Sequence, residues 1–204
     1  MYKRQDEDGT TPAYIAAATG QTAALEILVK APGCDVNQAM SDGATPAFIA
    51  AYKGQTSALE LLVKSGCDVN QATSDGRTLA HLAAVGGHTA ALELLVKAGC
   101  DVNRADEDGW TPAHTTAHQG HTAALDILVN AGCDVNHAAK NGGTPAFFAA
   151  LEGHAAALQI LVKAGCDVNQ AKKDGATPAY IAAARGQTAA LDTLVKAGCD
   201  VNQA

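Results

Sequence analysis

The chain has 204 residues, a formal net charge of −7 and a sequence pI near 5.4. This acidic balance argues against DNA or RNA as a partner, because phosphate binding needs a basic face. No apolar run approaches the roughly 20 residues that a membrane span requires, and the start of the chain shows no signal-peptide pattern. Hydrophobic residues make up 48% of the sequence and aromatic residues only 4%, a composition that favours close helix packing over a deep globular core.

The first residues, Met1–Gln5, do not share the pattern of the rest of the chain. They resemble the translation of a sequencing-adapter end, so we interpret them as a non-native scar, with a disordered terminus as the alternative. A scar would imply that the natural protein continues upstream and that this chain is a fragment.

Residues 6–204 repeat one sequence pattern six times, and from Cys34 onward every step is 33 residues. A fixed period of this size marks a stacked array, in which each unit contacts only its neighbours. We therefore predict one repeat domain with copies at about residues 6–39, 40–72, 73–105, 106–138, 139–171 and 172–204. Every copy closes with Cys-Asp-Val-Asn, and the cysteines are Cys34, Cys67, Cys100, Cys133, Cys166 and Cys199.

Each copy begins with a turn and a short helix, as copy two illustrates. Asp42 and Gly43 supply the positive φ that a tight hairpin turn requires. Thr45 follows as a helix N-cap, and Pro46 takes the first helical position, where proline is favoured. The sequence predicts an alanine-rich helix from Thr45 to Lys53, which a glycine then ends.

A second helix follows in each copy, from Thr56 to Lys64 in copy two. Its apolar residues Leu59, Leu62 and Val63 fall at i, i+3 and i+4, so they share one face. Two helices of about ten residues cannot bury such stripes alone. We therefore predict that the helical pairs stack side by side and bury these faces against each other.

The six cysteines are predicted to be free thiols. Equivalent cysteines lie one repeat apart, and packed helices are separated by about 8–10 Å, whereas a disulfide needs Cα atoms closer than about 7 Å. Buried free thiols indicate a reducing compartment, which predicts an intracellular location, cytoplasmic or nuclear. No Cys-x-x-Cys pair is present, so structural zinc is not expected.

The combined pattern resembles the ankyrin repeat: Asp-x-x-Gly-x-Thr-Pro, Ala-Ala-x-x-Gly, then Leu-Val-Lys-x-Gly-Cys-Asp-Val-Asn. This resemblance implies an all-α solenoid of stacked helix-turn-helix repeats with projecting β-hairpin loops. It also implies protein binding through the hairpin tips and first helices, without catalysis or a cofactor. The chain departs from the family at the first-helix histidine, which only His81 and His114 retain, and at the leucine that follows Thr-Pro, which is alanine here.

Five of the seven histidines and the closing asparagines are predicted to be structural. The asparagines resemble sites that asparaginyl hydroxylases modify in animal ankyrin proteins, but the simpler interpretation is that their side chains satisfy loop backbone groups. Two histidines, His118 and His137, vary between copies but lack metal-ligand spacing. The other five recur at equivalent positions: His81, His88, His114, His121 and His154.

Positions that change freely between copies carry the functional signal, because the scaffold residues barely change. In the ankyrin family such positions lie on the concave face. Tyr52, Arg77 and Trp110 form a diagonal of residue types that dominate interface energetics, although Trp110 has the alternative role of covering loop surface. The tips drift from acidic (Glu7, Asp8, Glu107, Asp108) to basic (Lys140, Lys172, Lys173). We assign as partner-binding residues Tyr52, Lys53, Arg77, Glu107, Asp108, Trp110, His118, Gln119 and Lys140.

We therefore expect a non-catalytic scaffold that binds a protein partner and neither nucleic acid nor membrane. Two alternatives remain open: a substrate-recruiting arm of a larger enzyme, and an elastic spacer. The first and last copies keep apolar residues such as Ile15 and Val195 and do not resemble polar capping repeats. We expect a monomer, with end-to-end stacking through these terminal copies as the alternative.

Overall fold

The computed structural model describes residues 9–203, which form twelve α-helices. The predictions for Met1–Gln5 and for the acidic tip residues Glu7 and Asp8 lie outside these residues. In chain order the helices are α1 Pro12–Ala18, α2 Thr22–Lys30, α3 Pro46–Lys53, α4 Thr56–Lys64, α5 Leu79–Val85, α6 Thr89–Lys97, α7 Pro112–Gln119, α8 Thr122–Asn130, α9 Pro145–Glu152, α10 Ala155–Lys163, α11 Pro178–Ala184 and α12 Thr188–Lys196.

The chain divides into two compact units, Met1–Asp101 and Val102–Ala204, each holding three helical pairs. In the first unit α3 packs between α1 and α5, and α4 packs between α2 and α6. In the second unit α9 packs between α7 and α11, and α10 packs between α8 and α12. Each unit is therefore two layers of helices, which confirms the predicted all-α class of stacked helical pairs.

The helices begin and end where local chemistry directs. Thr144 has extended backbone, its Oγ1 accepts a hydrogen bond from Phe147 N–H at 3.2 Å, and proline follows at the first helical position. In copy three the cap is reciprocal, because the N–H of Thr78 donates to His81 Nδ1 at 3.1 Å. The predicted second helix, Thr56–Lys64, is confirmed, while the first helix starts at Pro46 because Thr45 serves as its cap.

Alanine and leucine fill the core in different places. The first helices pack through alanines such as Ala50 and Ala51, which are 0% exposed, so neighbouring helices approach closely. The second helices contribute leucines, and both Leu59 and Leu62 are fully buried while Val63 is only half-buried. Burying one such leucine stabilises the fold by about 1.5–3 kcal/mol.

The loops that precede the first helices are closed by turn bonds rather than by paired strands. In copy two, Gly43 N–H donates to Met40 O at 3.0 Å and Met40 N–H donates to Ala44 O at 2.8 Å. With Gly43 at φ 86°, this is a three-residue hairpin loop with glycine in the left-handed region. In residues 9–203 the only β-bridge joins Ala72 and Thr78, so the expected β-hairpins are reduced to their turns.

A backbone hydrogen bond joins neighbouring loop tips. It leaves no room for a side chain on the tip glycine, since a Cβ on Gly142 would lie 2.7 Å from Lys173 N. The glycine therefore provides both a positive φ and a close approach between copies. The bonds run from the N–H of Ser74 to Asp42 O (3.3 Å), of Lys140 to Asp108 O (2.9 Å) and of Lys173 to Asn141 O (3.1 Å).

A second contact between copies forms at the end of the first helix. His88 Nε2–H donates to the carbonyl oxygen of Tyr52 at 3.0 Å, and Gln187 Nε2 donates to Leu151 O at 3.4 Å. These bonds satisfy helix-end carbonyls that have no partner within the helix. A Cβ on Gly54 would lie 2.5 Å from His88 Nδ1, so this glycine is also required for space.

The closing asparagine makes a third contact, with the backbone of the next copy. Asn70 Oδ1 accepts from Asp101 N–H at 2.7 Å, and its Nδ2 donates to Gly99 O at 3.4 Å. This confirms that the asparagine side chain satisfies loop backbone groups, and the structure adds that those groups belong to the neighbouring copy. The same bond joins Asn37 to Asp68 (3.2 Å), and Asn103, Asn136 and Asn169 to Asp134, Asp167 and Asp200 (2.7 Å each).

All six cysteines are free thiols, as predicted. Burial raises the pKa of Cys67, Cys100, Cys133 and Cys166 to about 11. In the first and last copies the same cause raises the pKa of Cys34 and Cys199 by less. The thiols therefore act as small apolar side chains packed beneath the second helices.

The terminal copies expose apolar side chains that a further copy would cover. Ile27 is 73% exposed in the first copy, and Val195 is 50% exposed in the last. Tyr180 is half exposed at the same end. These exposures agree with the expectation that neither copy is a polar cap.

Replacing Asn70 by alanine should lower the free energy of unfolding by about 1–2 kcal/mol, since it removes an acceptor and a donor that both bond to the next copy. Asn202→Ala is the matched control, because within the described residues the Asn202 side chain makes no hydrogen bond to another copy, and it should cost under about 0.5 kcal/mol. Urea denaturation followed by circular dichroism measures both. Equal effects of the two substitutions would show that the hydrogen bonds from Asn70 to the next copy add nothing to stability.

The four thiols with pKa about 11 should react with iodoacetamide at least about tenfold more slowly than the same thiols in urea-unfolded chain. Folding favours their protonated form, so this contribution to stability is present below the ordinary thiol pKa and is lost as the pH rises towards 11. Mass spectrometry resolves the labelling by site. Cys34 and Cys199 serve as internal references and should react faster than the other four.

Candidate functional site

In the first unit, the candidate residues lie at the end of α3 and at the neighbouring loop tip. The Tyr52 side chain is 44% exposed, and its backbone is held by the bond from His88. The Lys53 ammonium lies 5.4 Å from the centre of the Tyr52 ring, within range of a cation–π contact. Arg77 is exposed at the tip, with Nε 3.2 Å from Asp75 Oδ2. The end of α3 thus presents an aromatic ring beside one cationic group, and the loop tip presents a second cation.

The charge of Arg77 is partly offset within its own loop. The Thr73 hydroxyl donates to Asp75 and, together with Arg77, holds the pKa of that carboxyl below its usual value. Asp75 is therefore ionised at neutral pH and remains half exposed beside the arginine. An exposed pair of this kind contributes little to stability.

In the second unit, the candidate residues lie on two loop tips and on α7. Glu107, Asp108, Gln119 and Lys140 are exposed, as a contact surface requires. Trp110, the chain's only tryptophan, is half-buried at the base of its tip. It is thus neither sealed in the core nor fully solvated.

Three other rings surround the indole of Trp110. The Phe148 ring of the next copy lies closest, with ring centres 4.4 Å apart and planes inclined at 45°. His118 meets the indole edge-on at 5.4 Å, and His114 lies 5.8 Å away. Aromatic pairs at such distances add about 0.5–1.5 kcal/mol beyond their buried area. Trp110 therefore packs on neighbouring residues while one part of its ring stays accessible.

His118 joins this cluster to the charge of α9. Its Nε2 lies 3.6 Å from Glu152 Oε1, and both side chains are partly exposed. The ring of His118 also faces Phe148 edge-on at 6.1 Å. The candidate residue predicted from α7 thus shares one local surface with Trp110 through residues of two adjacent copies.

Sequence reasoning missed Phe148, and it identified Gly143 only as a position that varies between copies. In the other copies, the position of Phe148 carries an aliphatic residue or threonine. Because Phe148 stands among apolar residues of its helix, the sequence alone did not distinguish it from an ordinary core residue. A Cβ on Gly143 would lie 2.9 Å from the Phe148 ring, so glycine makes room for it. The signal available was a large residue and a glycine appearing together, each unusual at its own repeat position. The position of Phe148 in the other copies holds Ile15, Ile49, Leu82, Thr115 and Ile181.

The basic tips of the second unit differ in how far their charges are paired. Lys172 lies 3.1 Å from Asp174 and 5.1 Å from the Phe147 ring centre. No ion pair within the described residues involves Lys140, Lys173 or Arg185, although all three are exposed. The uncompensated positive charge therefore concentrates on copies five and six.

The described residues contain no group of three or more His, Cys, Asp or Glu side chains arranged to hold a metal. The two family histidines are buried caps, and His114 Nε2–H also donates to Gly143 O at 3.2 Å. His137 lies edge-on to His114 at 5.8 Å, which is a packing contact. His81, His114 and His137 therefore serve helix capping and packing.

Changing Phe148 to isoleucine should shift the emission of Trp110 to longer wavelength, because the indole loses its closest ring contact. The fold should survive at a cost below about 2 kcal/mol, since copies two and six carry Ile49 and Ile181 at this position. Phe147→Tyr is the control, and copy six carries Tyr180 there. An unchanged emission spectrum in Phe148→Ile would contradict the packing of Trp110 on Phe148.

Comparison with known families agrees with the repeat geometry. A family model described as ankyrin repeats (3 copies) matches residues 2–73, 48–139 and 116–204, segments that overlap and span nearly the whole chain. No curated protein matches the chain significantly. Within residues 9–203, no helix has the length and apolar character that crossing a bilayer demands. The chain belongs to the ankyrin repeat family, whose repeats generally act as protein–protein interaction modules.

Proposed function

We propose that this chain is a non-catalytic scaffold that binds a partner protein through its loop tips and first helices. In the first unit the contact residues are Tyr52, Lys53 and Arg77. In the second unit they are Glu107, Asp108, Trp110, His118, Gln119 and Lys140. We further propose that the chain acts as a monomer in a reducing, intracellular compartment, where its free thiols persist.

The observation that carries this proposal is the contrast between a fixed backbone and variable exposed side chains. The tips and helix ends are held by hydrogen bonds between copies, as Lys140 N–H to Asp108 O and His88 to Tyr52 O illustrate. The side chains at those same positions differ from copy to copy in size, charge and polarity. A surface held in place by its backbone loses little ordering entropy on binding.

The exposed residues are also of the types that contribute most to interfaces. Tyr52, Arg77 and Trp110 belong to the three residue types most enriched among binding hot spots. Each already has a local support: Lys53 beside Tyr52, Asp75 beside Arg77, and Phe148 beneath Trp110. Support of this kind keeps the side chain in one conformation before the partner arrives.

The test is affinity capture with the wild-type chain, followed by Kd measurement for the captured protein. The variant Tyr52→Ala/Arg77→Ala/Trp110→Ala should weaken binding by about 30-fold or more, since each hot spot contributes over about 1 kcal/mol. The control changes Lys97, Gln159 and Lys163 to alanine, three exposed residues on second helices. It should bind as the wild type does.

Two results would count against the proposal. Equal loss in both variants would place the contact away from the tips and first helices. Failure of the wild-type chain to retain any protein would favour the elastic spacer instead. Circular dichroism of each variant ensures that lost binding does not reflect lost structure.

A further inference from the structure

In the second unit, backbone hydrogen bonds hold the loop tips of neighbouring copies at a fixed spacing. Backbone bonds hold Lys140 beside Asp108 and Lys173 beside Asn141, at 2.9 and 3.1 Å. The loops of copies four, five and six therefore form one continuous edge. Trp110 lies at the base of the first of these loops, and the two lysines lie on the second and third.

The charges along this edge change sign. Glu107 and Asp108 occupy the first tip, whereas Lys140 and Lys173 are exposed on the second and third tips and make no ion pair with any described residue. Asp174, also on the third tip, is paired with Lys172 at 3.1 Å. The one acid on the intervening helix, Glu152, is already beside His118 at 3.6 Å. A ligand on copies five and six therefore meets a positive field, and one that extends over the first tip meets a negative field.

The apolar part of the edge lies at its acidic end. Trp110 packs on Phe148, which is itself only 6% exposed and so supports the indole from the core side. Leu151, at the end of the same helix, is half-buried. This firm platform suits one large apolar side chain of a partner.

We propose that this edge binds an extended acidic segment of the partner protein, with a large apolar side chain on Trp110 and carboxylates opposite Lys140 and Lys173. Neighbouring packed helices are about 8–10 Å apart, and an extended chain advances about 3.3–3.6 Å per residue. The carboxylates should therefore fall about three and about six residues from the apolar residue. This inference rests on the proposed scaffold function and specifies the partner's chemistry.

The sign change fixes the orientation of the segment. Its acidic end lies towards copy six, because Glu107 and Asp108 repel carboxylates at the other end. The same acids disfavour a uniformly anionic polyphosphate chain, whose charges would lie against them at the first tip. A peptide with carboxylates on one side of an apolar anchor matches both halves of the edge.

The test begins with a display library of random dodecapeptides selected on the full chain. Selected peptides should carry a large apolar residue followed or preceded by Asp or Glu at about three and six positions. Counter-selection uses Lys140→Glu/Lys173→Glu, which reverses the positive tips. Peptides without carboxylates, or peptides that bind this variant equally well, would overturn the proposal.

Affinity is then read from Trp110, the only tryptophan, using a selected peptide that contains no tryptophan. Lys140→Glu/Lys173→Glu should raise the Kd about tenfold or more, and added salt should weaken binding to the wild type. Lys97→Glu/Lys163→Glu makes the same charge change on exposed second-helix residues and should leave the Kd within about twofold. Equal effects of the two variants would show only a response to net charge and would contradict the proposal.

Failure here is distinguishable from failure of the scaffold function. If a captured partner is lost with Tyr52→Ala/Arg77→Ala/Trp110→Ala but is indifferent to Lys140→Glu/Lys173→Glu, the scaffold stands and the acidic segment is wrong. If the captured partner responds to neither variant, both proposals are wrong.

Discussion

The structure depends on hydrogen bonds that each copy makes to the backbone of the next. Helices of seven to nine residues are too short to be stable alone, so a copy persists only beside its neighbours. Buried alanines and leucines supply the attraction, but apolar contact is not directional. The asparagine bond at the base, the bond to the first-helix end and the tip bond supply direction. Together they fix the distance and register between copies within each unit.

These bonds distinguish positions whose side chain is constrained by the next copy from positions whose side chain is not. Gly54 and Gly142 face the next copy so closely that a Cβ would collide with it, and Asn70 uses both ends of its amide. The tip residues bond through backbone atoms, so the side chains of Lys140 and Asp108 take no part in the hydrogen bond that joins the two tips. The scaffold thus separates the atoms that hold it together from the atoms that it displays.

The sequence was sufficient for the fold because its signals are local and repeated. Capping residues such as Thr144 and His81 mark the starts of helices, and the leucine spacing identifies the buried face. The regular spacing of the cysteines, one per copy, argues against disulfides. The sequence was insufficient for the site. Trp110 and Phe148 occupy different repeat positions in two adjacent copies, so their contact does not recur along the chain and no period reveals it. Comparing equivalent positions reveals variation but not which variable residues touch. The short loops likewise lack paired strands because one or two backbone bonds already close them.

Trp110 shows how a stack of near-identical copies acquires an individual surface. A large ring at the tip needs space, which Gly143 leaves open, and a support, which Phe148 provides from the next copy. In the copy that contains Trp110, the position equivalent to Phe148 holds Thr115, which is smaller than the isoleucine of other copies. A change at one tip therefore requires a matching change one copy along. The natural unit of specificity in this chain is the junction between two copies, since neither copy alone contains both the ring and its support.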